Sequence, residues 1–339
     1  MASGLLVHLR AQLRAPQLTF TDPLAAISGG YDTRIFAFRL GGAPPAWSAS
    51  LILRVLGPAY DPMRALRERA TQNALVALGY PVPRVLTACA DRGPLGGAFL
   101  VMERAAGRPL LDARRVGASR VLALAQARLH ALDAEALLRA LDEEGRAAGG
   151  GFDRQAITYE GYLAALDRRI REGPLAGLSD GMRWLVEHRP TPGASRVICH
   201  GDFHPQNVLV ADGRVSAVLD WPNVVVAEPE YDVASTRAIL ALTPMELWPV
   251  PAALRPLVMV LRRLMVARYL SIYRRSVPLD SGRLLYYEAA SCMRGLVRAG
   301  EARAARGEMN PLDASPFGAR LAARFTRISG VRVTLPPMR

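Results

Sequence analysis

The chain has 339 residues, half of them hydrophobic and 22% charged, with 43 basic against 30 acidic side chains and a net charge of +13. That balance belongs to a folded globular chain of about two domains and excludes a disordered or collagen-like one. There is no lysine, which excludes the Walker A phosphate loop, because its chemistry needs that residue. The first hundred residues read as strand-rich: residues 24–27, 34–40 and 49–56 are short apolar or alternating runs, punctuated by Gly29-Gly30 and by Gly41 to Pro45. Met63, Leu66, Ala70, Ala74 and Leu78 then recur at helical spacing, and Gly79, Pro81 and Pro83 supply the stop. A strand pair is expected at 83–90 and 97–102, around an Asp91-Arg92-Gly93-Pro94 turn. From Ala105 the character changes to helical. An amphipathic helix is expected at 116–132, with Leu122, Ala125, Leu129 and Leu132 on one face, and two more near 156–172 and 180–189. A strand island follows at about 196–220, and long helices run to about residue 305. Strands first and helices later predict an α+β chain of two lobes divided near residues 103–107. No internal repeat is present.

Three widely spaced cysteines, Cys89, Cys199 and Cys292, form neither a CxxC pair nor a disulfide framework and fit a reducing compartment. His8, Arg10 and Arg14 interrupt the start of the chain, which therefore does not read as a signal peptide. The most apolar late segment, Leu257 to Leu270, is broken by Arg262, Arg263 and Arg268. The expectation is a cytoplasmic protein with no membrane partner. The arginines are scattered and aromatic residues make up only 6% of the chain, so the basic charge reads as solvated helix surface rather than as a specific nucleic-acid interface. No oligomeric state follows from the sequence.

The chemistry is concentrated in Val197 to Asp232. A buried strand, Val197-Ile198-Cys199, leads into the polar loop His200-Gly201-Asp202-Phe203-His204-Pro205-Gln206-Asn207. A hairpin with an Asp212-Gly213 turn follows and ends at Asp220. Such a hairpin returns the chain, so Asp202, Asn207 and Asp220 are expected to converge. Two carboxylates and an amide oxygen are hard donors suited to Mg²⁺. The H-x-D-x-H spacing of His200 and His204 also admits a transition-metal hydrolase, but only His8, His130 and His188 remain as further imidazoles, all in helical or terminal segments. No serine sits in a GxSxG elbow. Cys199 reads as a core thiol.

His200-x-Asp202-x4-Asn207 followed by Asp220 resembles the catalytic loop and metal-binding aspartate of the protein-kinase-like fold, and the phrase HGDFHPQN…DW resembles the aminoglycoside phosphotransferase/choline kinase-like family. The resemblance implies an N-terminal nucleotide-binding lobe at 1–102, made of an antiparallel sheet plus one helix. It further implies a hinge at 103–107 and a mainly helical catalytic and substrate-binding lobe at 108–339. By the same resemblance Asp202 orients the substrate hydroxyl and accepts its proton, and His204 steadies the transferring group. Asn207 and Asp220 hold Mg²⁺. Gly29 and Gly30 correspond to the phosphate-side turn, Arg54 to the phosphate-binding strand residue, Glu68 to its ion-pair partner, and Glu103 and Ala105 to the adenine-binding hinge. Asp232 is read as tying the loop to the C-terminal helices. The implied function is transfer of the γ-phosphoryl group of ATP or GTP, with Mg²⁺, to a hydroxyl of a small molecule. The alternatives are an aminoglycoside phosphotransferase as the specific class, or a catalytically silent binding module. Residues 271–306 are expected to close the acceptor site, with Tyr273, Tyr286, Tyr287 and Glu288 as candidates. Pro222-Asn223 replaces a common acidic neighbour of the Asp-Trp pair.

Overall fold

The structure, a computed structural model, describes residues 1–27, 33–113, 117–193, 195–244, 251–305, 312 and 315–337. In chain order its elements are α1 (Ala2–Leu13), β1 (Thr19–Ala26), β2 (Thr33–Gly41), β3 (Leu51–Leu56), α2 (Met63–Ala77), β4 (Val85–Cys89), β5 (Phe99–Glu103) and β6 (Arg108–Pro109). There follow α3 (Ala118–His130), α4 (Ala134–Ala147), α5 (Tyr159–Glu172), α6 (Ser179–Glu187), β7 (Val197–Cys199), β8 (Val208–Ala211), β9 (Arg214–Val218) and β10 (Val225–Ala227). The last are α7 (Pro229–Leu242), α8 (Arg255–Tyr273), α9 (Ser281–Ala304) and α10 (Phe317–Ser329). They form two compact units, one of residues 1–113, 135–152 and 208–222, the other of 114–134, 153–207 and 223–339.

In the first unit the antiparallel sheet runs β1-β2-β3-β5-β4. Strand alternation divides β3 between the two sheet faces. Leu51, Leu53 and Val55 join Phe99, Val101, Leu5 and Leu9 in one core cluster. Leu56, with Leu100 and Met102, joins Ala65 of α2 in the other. Helix α1 is an addition to the single helix expected here. Its Leu5 and Leu9, one turn apart, are fully buried; His8 meets Phe99 edge-on at 5.1 Å between centroids, and Gln12 bonds Thr87 at 2.7 Å. The expected hairpin is present as β8 and β9, joined by Asp212 and Gly213. Both turn residues have positive φ, 46° and 83°, as a two-residue turn matched to strand twist requires. Gly107, at φ 107°, has no room for a side chain: a Cβ would stand 2.7 Å from the Val210 carbonyl oxygen. Helix α4 buries Leu137 and Leu141 and pairs Glu144 with Arg69 of α2.

In the second unit β7 and β10 form a short buried antiparallel pair, Val225 opposite Cys199. Helix α3 packs along α8, with the Ser119 hydroxyl donating to the Met265 carbonyl at 3.1 Å, and α7 and α10 pack on α9. Thr158 caps α5 through Gly161 N (3.1 Å), and Asp280 caps α9 through Arg283 N (2.7 Å). Among the described residues no helix is long and apolar enough to cross a membrane.

Candidate active site

In the first unit the period-2 alternation of β3 places Arg54 on the sheet face that receives α2. There it meets Glu68, with Arg54 Nη1 3.0 Å from Glu68 Oε2. Arg64, one turn earlier on α2, holds the other carboxylate oxygen at 3.0 Å. The second terminal nitrogen of Arg54 reaches Asp220 Oδ1 at 3.3 Å. Arg54 and Glu68 are buried, whereas the Asp220 side chain is 42% exposed. Burial alone would pull the Arg54 guanidinium down; Glu68 and then Asp220 outweigh it and leave Arg54 firmly charged. Among the described residues its Nε has no hydrogen-bond partner, so one donor of a buried cation is unused there. Asp220 sits at φ 67°, a conformation uncommon for a residue with a side chain. Trp221 anchors the turn there, its indole N–H donating to the Val218 carbonyl at 2.9 Å and its ring edge-on to Tyr80.

In the second unit the loop after β7 is suspended from α7 and α9. Gly201 N–H donates to Asp232 Oδ1 at 2.7 Å, the Ser235 hydroxyl donates to the Gly201 carbonyl at 3.0 Å, and the Thr236 hydroxyl donates to the Phe203 carbonyl at 2.8 Å. Gly201 has φ 76°, and a Cβ there would stand 2.5 Å from the Asn223 carbonyl oxygen, so the approach needs glycine. His200 is fully buried and accepts the Asp202 N–H at Nδ1, 3.2 Å away. Asp232 is fully buried too. Its other oxygen takes Gln126 Nε2 at 2.8 Å and His130 Nε2 at 3.0 Å. The hydroxyls of Tyr273 and Tyr269 on α8 bond His130 Nδ1 and Gln126 Oε1 in turn. Burial raises the Asp232 carboxyl, but His130, His200 and Gln126 prevail and hold it below the ordinary carboxylate value.

Asp202, His204 and Asn207 come together on this loop. Asn207 Nδ2 donates to the Asp202 carbonyl at 3.0 Å and lies 3.2 Å from His204 Nε2. His204 Nε2 is 3.7 Å from Asp202 Oδ2. One member of the group was missed by sequence reading: Arg294, on α9. Its guanidinium donates to the Gly201 carbonyl, reaches Ser235 Oγ at 3.1 Å and stands 3.6 Å from Asp202 Oδ1. No motif marks it. Burial pushes the Asp202 carboxyl up, yet His204, Arg294 and His200 together hold it well below the usual carboxylate range. Asp202 therefore stays ionised on a loop whose backbone is bonded on both sides.

Among the described residues no three His, Cys, Asp or Glu side chains gather closely enough to cage a metal by themselves. Asn207 in the second unit and Asp220 in the first each carry hard oxygen donors. Such donors suit a cation that takes its other ligands from water and phosphate. Glu103 ends β5 with its N–H on the Arg84 carbonyl (3.0 Å), and Ala105 lies half-buried in the link that follows. Gly29 and Gly30 lie outside the described residues. The residues expected to close an acceptor site are instead internal. Tyr273, Tyr286 and Tyr287 are buried, with Tyr286 OH donating to the Leu185 carbonyl at 2.8 Å and Tyr287 OH to Glu228 at 2.6 Å. Glu288 is buried between Arg324 (2.7 Å) and Arg237 (3.2 Å).

The chain is 32% identical over 179 residues to acyl-CoA dehydrogenase family member 11 of Gallus gallus, covering 50% of this chain but 22% of that protein. It is also 32% identical over 187 residues to viomycin phosphotransferase of Streptomyces vinaceus, covering 52% of this chain and 60% of that one. The chain thus spans about a fifth of the length of the first curated relatives it matches. Among solved structures, a thermostable mutant of an aminoglycoside phosphotransferase, APH(4)-Ia, in ternary complex with ADP and hygromycin B, superposes with a TM-score of 0.56 at 19% identity, covering 97% of this chain and 99% of that one. The protein-kinase-like fold expected from the order of the motifs is therefore the fold of this chain. Residues 23–263 match the family model described as the phosphotransferase enzyme family, and with most of its length inside that match the chain belongs to that family.

Proposed function

We propose that the chain transfers the γ-phosphoryl group of ATP, or of GTP, to a hydroxyl of a small molecule. The observation that carries this reading is Asp202: an ionised carboxylate, about a quarter exposed, on a loop held by Asp232, Ser235, Asn207 and Arg294. A carboxylate so far below its usual range is a weak base. Its contribution is to accept a hydrogen bond from the acceptor hydroxyl and aim its oxygen, taking the proton late, as a loose phosphoryl-transfer transition state requires. His204, beside it, contributes a hydrogen-bonding imidazole to the transferring group. In the first unit Arg54, kept charged and oriented by Glu68, offers the nucleotide phosphates a buried guanidinium. Asn207 and Asp220 would hold Mg²⁺, which when bound neutralises charge on the phosphates. In this reading residues 1–102 form the nucleotide lobe, with Gly29 and Gly30 at its phosphate turn. Residues 103–107, with Glu103 and Ala105, form the adenine hinge, and 108–339 the catalytic lobe.

Viomycin and hygromycin B suggest antibiotics as one acceptor class. Against a polycationic acceptor, Glu228, Glu230 and Glu288 are buried and already engaged, which favours acceptors with little positive charge. The free thiols and the nucleotide donor fit a cytoplasmic location. The test is a Mg-ATP phosphorylation screen across aminoglycosides, macrolides, amino alcohols, sugars and acyl-linked metabolites, with Asp202→Asn as the blank. Phosphate transfer that Asp202→Asn abolishes supports the reading; transfer that survives it overturns the role of Asp202. Nucleotide binding with no transfer to any acceptor favours the silent module.

A further inference from the structure

The inner face of α8 carries Tyr269 and Tyr273 into the network beneath the Asp202 loop. Its outer face is built the opposite way from an ordinary packed helix. Leu257, Val260, Leu261 and Leu264 recur at i, i+3, i+4 and i+7, and each is half or more exposed. At 3.6 residues per turn the same face, an arc of about 120°, continues into Arg268, Ser271, Ile272 and Arg275. Those four residues, with Arg120 from the first turn of α3, line a surface pocket of about 270 Å³. Arg120, Arg268 and Arg275 are exposed, and none pairs with an acidic side chain among the described residues. From Arg255 to Arg275 there are six arginines and no acidic residue. Three like charges converging on one concavity are unfavourable unless an anion joins them. An exposed leucine and valine stripe is unfavourable unless something apolar covers it.

We propose that the outer face of α8 is a docking surface for an anionic phospholipid bilayer, the apolar stripe entering the acyl boundary and the Arg120–Arg268–Arg275 pocket receiving a headgroup phosphate. The pattern is that of a helix lying in the interface plane, apolar on one side and arginine-flanked, with no acidic residue between Arg255 and Arg275. Four half-exposed side chains fall far short of the roughly 20–30 residues per side of a stable protein interface. Two copies meeting through this face would also bring arginine against arginine. The sequence-based expectation of no membrane partner concerned spanning segments, and a peripheral contact needs none.

The test is co-sedimentation of the full chain with phosphatidylcholine vesicles, with and without phosphatidylglycerol. Binding is expected only with phosphatidylglycerol. Arg268→Gln/Arg275→Gln should weaken it about 30-fold, and Leu257→Gln/Leu264→Gln about tenfold. A charge-matched control, Arg327→Gln/Arg332→Gln, alters two exposed arginines elsewhere and should weaken binding clearly less. All the substituted side chains are on the surface, and unchanged melting temperatures verify that folding is intact. The proposal is overturned by absence of binding, by equal binding to both vesicle types, or by a control that weakens binding as much as the pocket variant. A dimer in sedimentation velocity that the leucine variant dissolves, without vesicle binding, also overturns it and makes this face a contact between copies.

Discussion

Arg294→Met removes a cation that α9 brings to the Asp202 loop. At 3.6 Å and an effective dielectric of about 20, the Arg294–Asp202 pair is worth on the order of 4 kcal/mol before screening. About a fifth to a quarter of each side chain is exposed, and His204 still stands beside the carboxylate, so about 1–2 kcal/mol survives, or roughly one pKa unit. The sign is upward, because a carboxylate that loses a cation holds its proton more tightly. Asp202 starts well below the usual carboxylate range, so a rise of about one unit leaves it ionised at neutral pH. The loss must then be positional. The loop forfeits a charge-assisted bond to the Gly201 carbonyl, which keeps the Ser235 hydroxyl, and a small displacement of an orienting group is costly. We expect kcat to fall about 10- to 100-fold, nucleotide KM to stay within about twofold, and the rate profile to stay flat from about pH 5 to 8. Arg294→Lys should restore part of kcat. The assay is ADP release against pH with an acceptor from the screen. A deficit that vanishes as the pH rises would mean that Arg294 acts by keeping Asp202 ionised, and an unchanged kcat would refute any role for it.

Three further outcomes follow from the same geometry. Asp202→Asn should lower turnover by about 10²- to 10⁴-fold while ATP affinity, read by calorimetry, changes little. Glu68→Gln leaves the buried Arg54 guanidinium without its main counter-charge and should destabilise the chain by about 3–5 kcal/mol, read as a shift in urea midpoint; Arg54→Met in the same chain should recover part of that loss. Asp232→Asn tests linkage: the folded carboxyl lies below its ordinary value, so its stabilisation is complete above the unfolded value of about 3.9 and fades as the pH falls through the lower folded one. The melting-temperature gap between wild type and Asp232→Asn should therefore be constant from about pH 5 to 8 and narrow below about pH 4; a gap that widens in acid would contradict the assignment.

Much of the frame was legible from local pattern alone. Spacing and the Gly79 stop marked α2, which spans Met63–Ala77. The Asp212-Gly213 dipeptide marked the β8–β9 turn because two consecutive positive φ values leave few residues able to occupy it. The approach of Arg54 to Glu68 was legible only through family resemblance, since a strand arginine and a helix glutamate carry no signal of their own. Helix α1 was missed: its leucines are interrupted by polar residues, and the face that makes Leu5 and Leu9 core belongs to β5, about ninety residues later. Tyr286, Tyr287 and Glu288 were misjudged for a related reason. A tyrosine suits a pocket wall or a core equally well, and only the distant partners Leu185 and Glu228 decide which.

By itself the sequence determined helix α2, the hairpin and the loop carrying Asp202, His204 and Asn207, because those depend on turn chemistry and on periods of two and 3.6 residues. Tertiary structure alone decided that Arg294 stands beside Asp202, that Tyr269 and Tyr273 reach the Asp232 network, and that the apolar stripe of α8 faces outward. Burial, ion pairing and a charge held below its usual range are properties of neighbours, and these neighbours are brought from far along the chain by helix packing that no local pattern encodes.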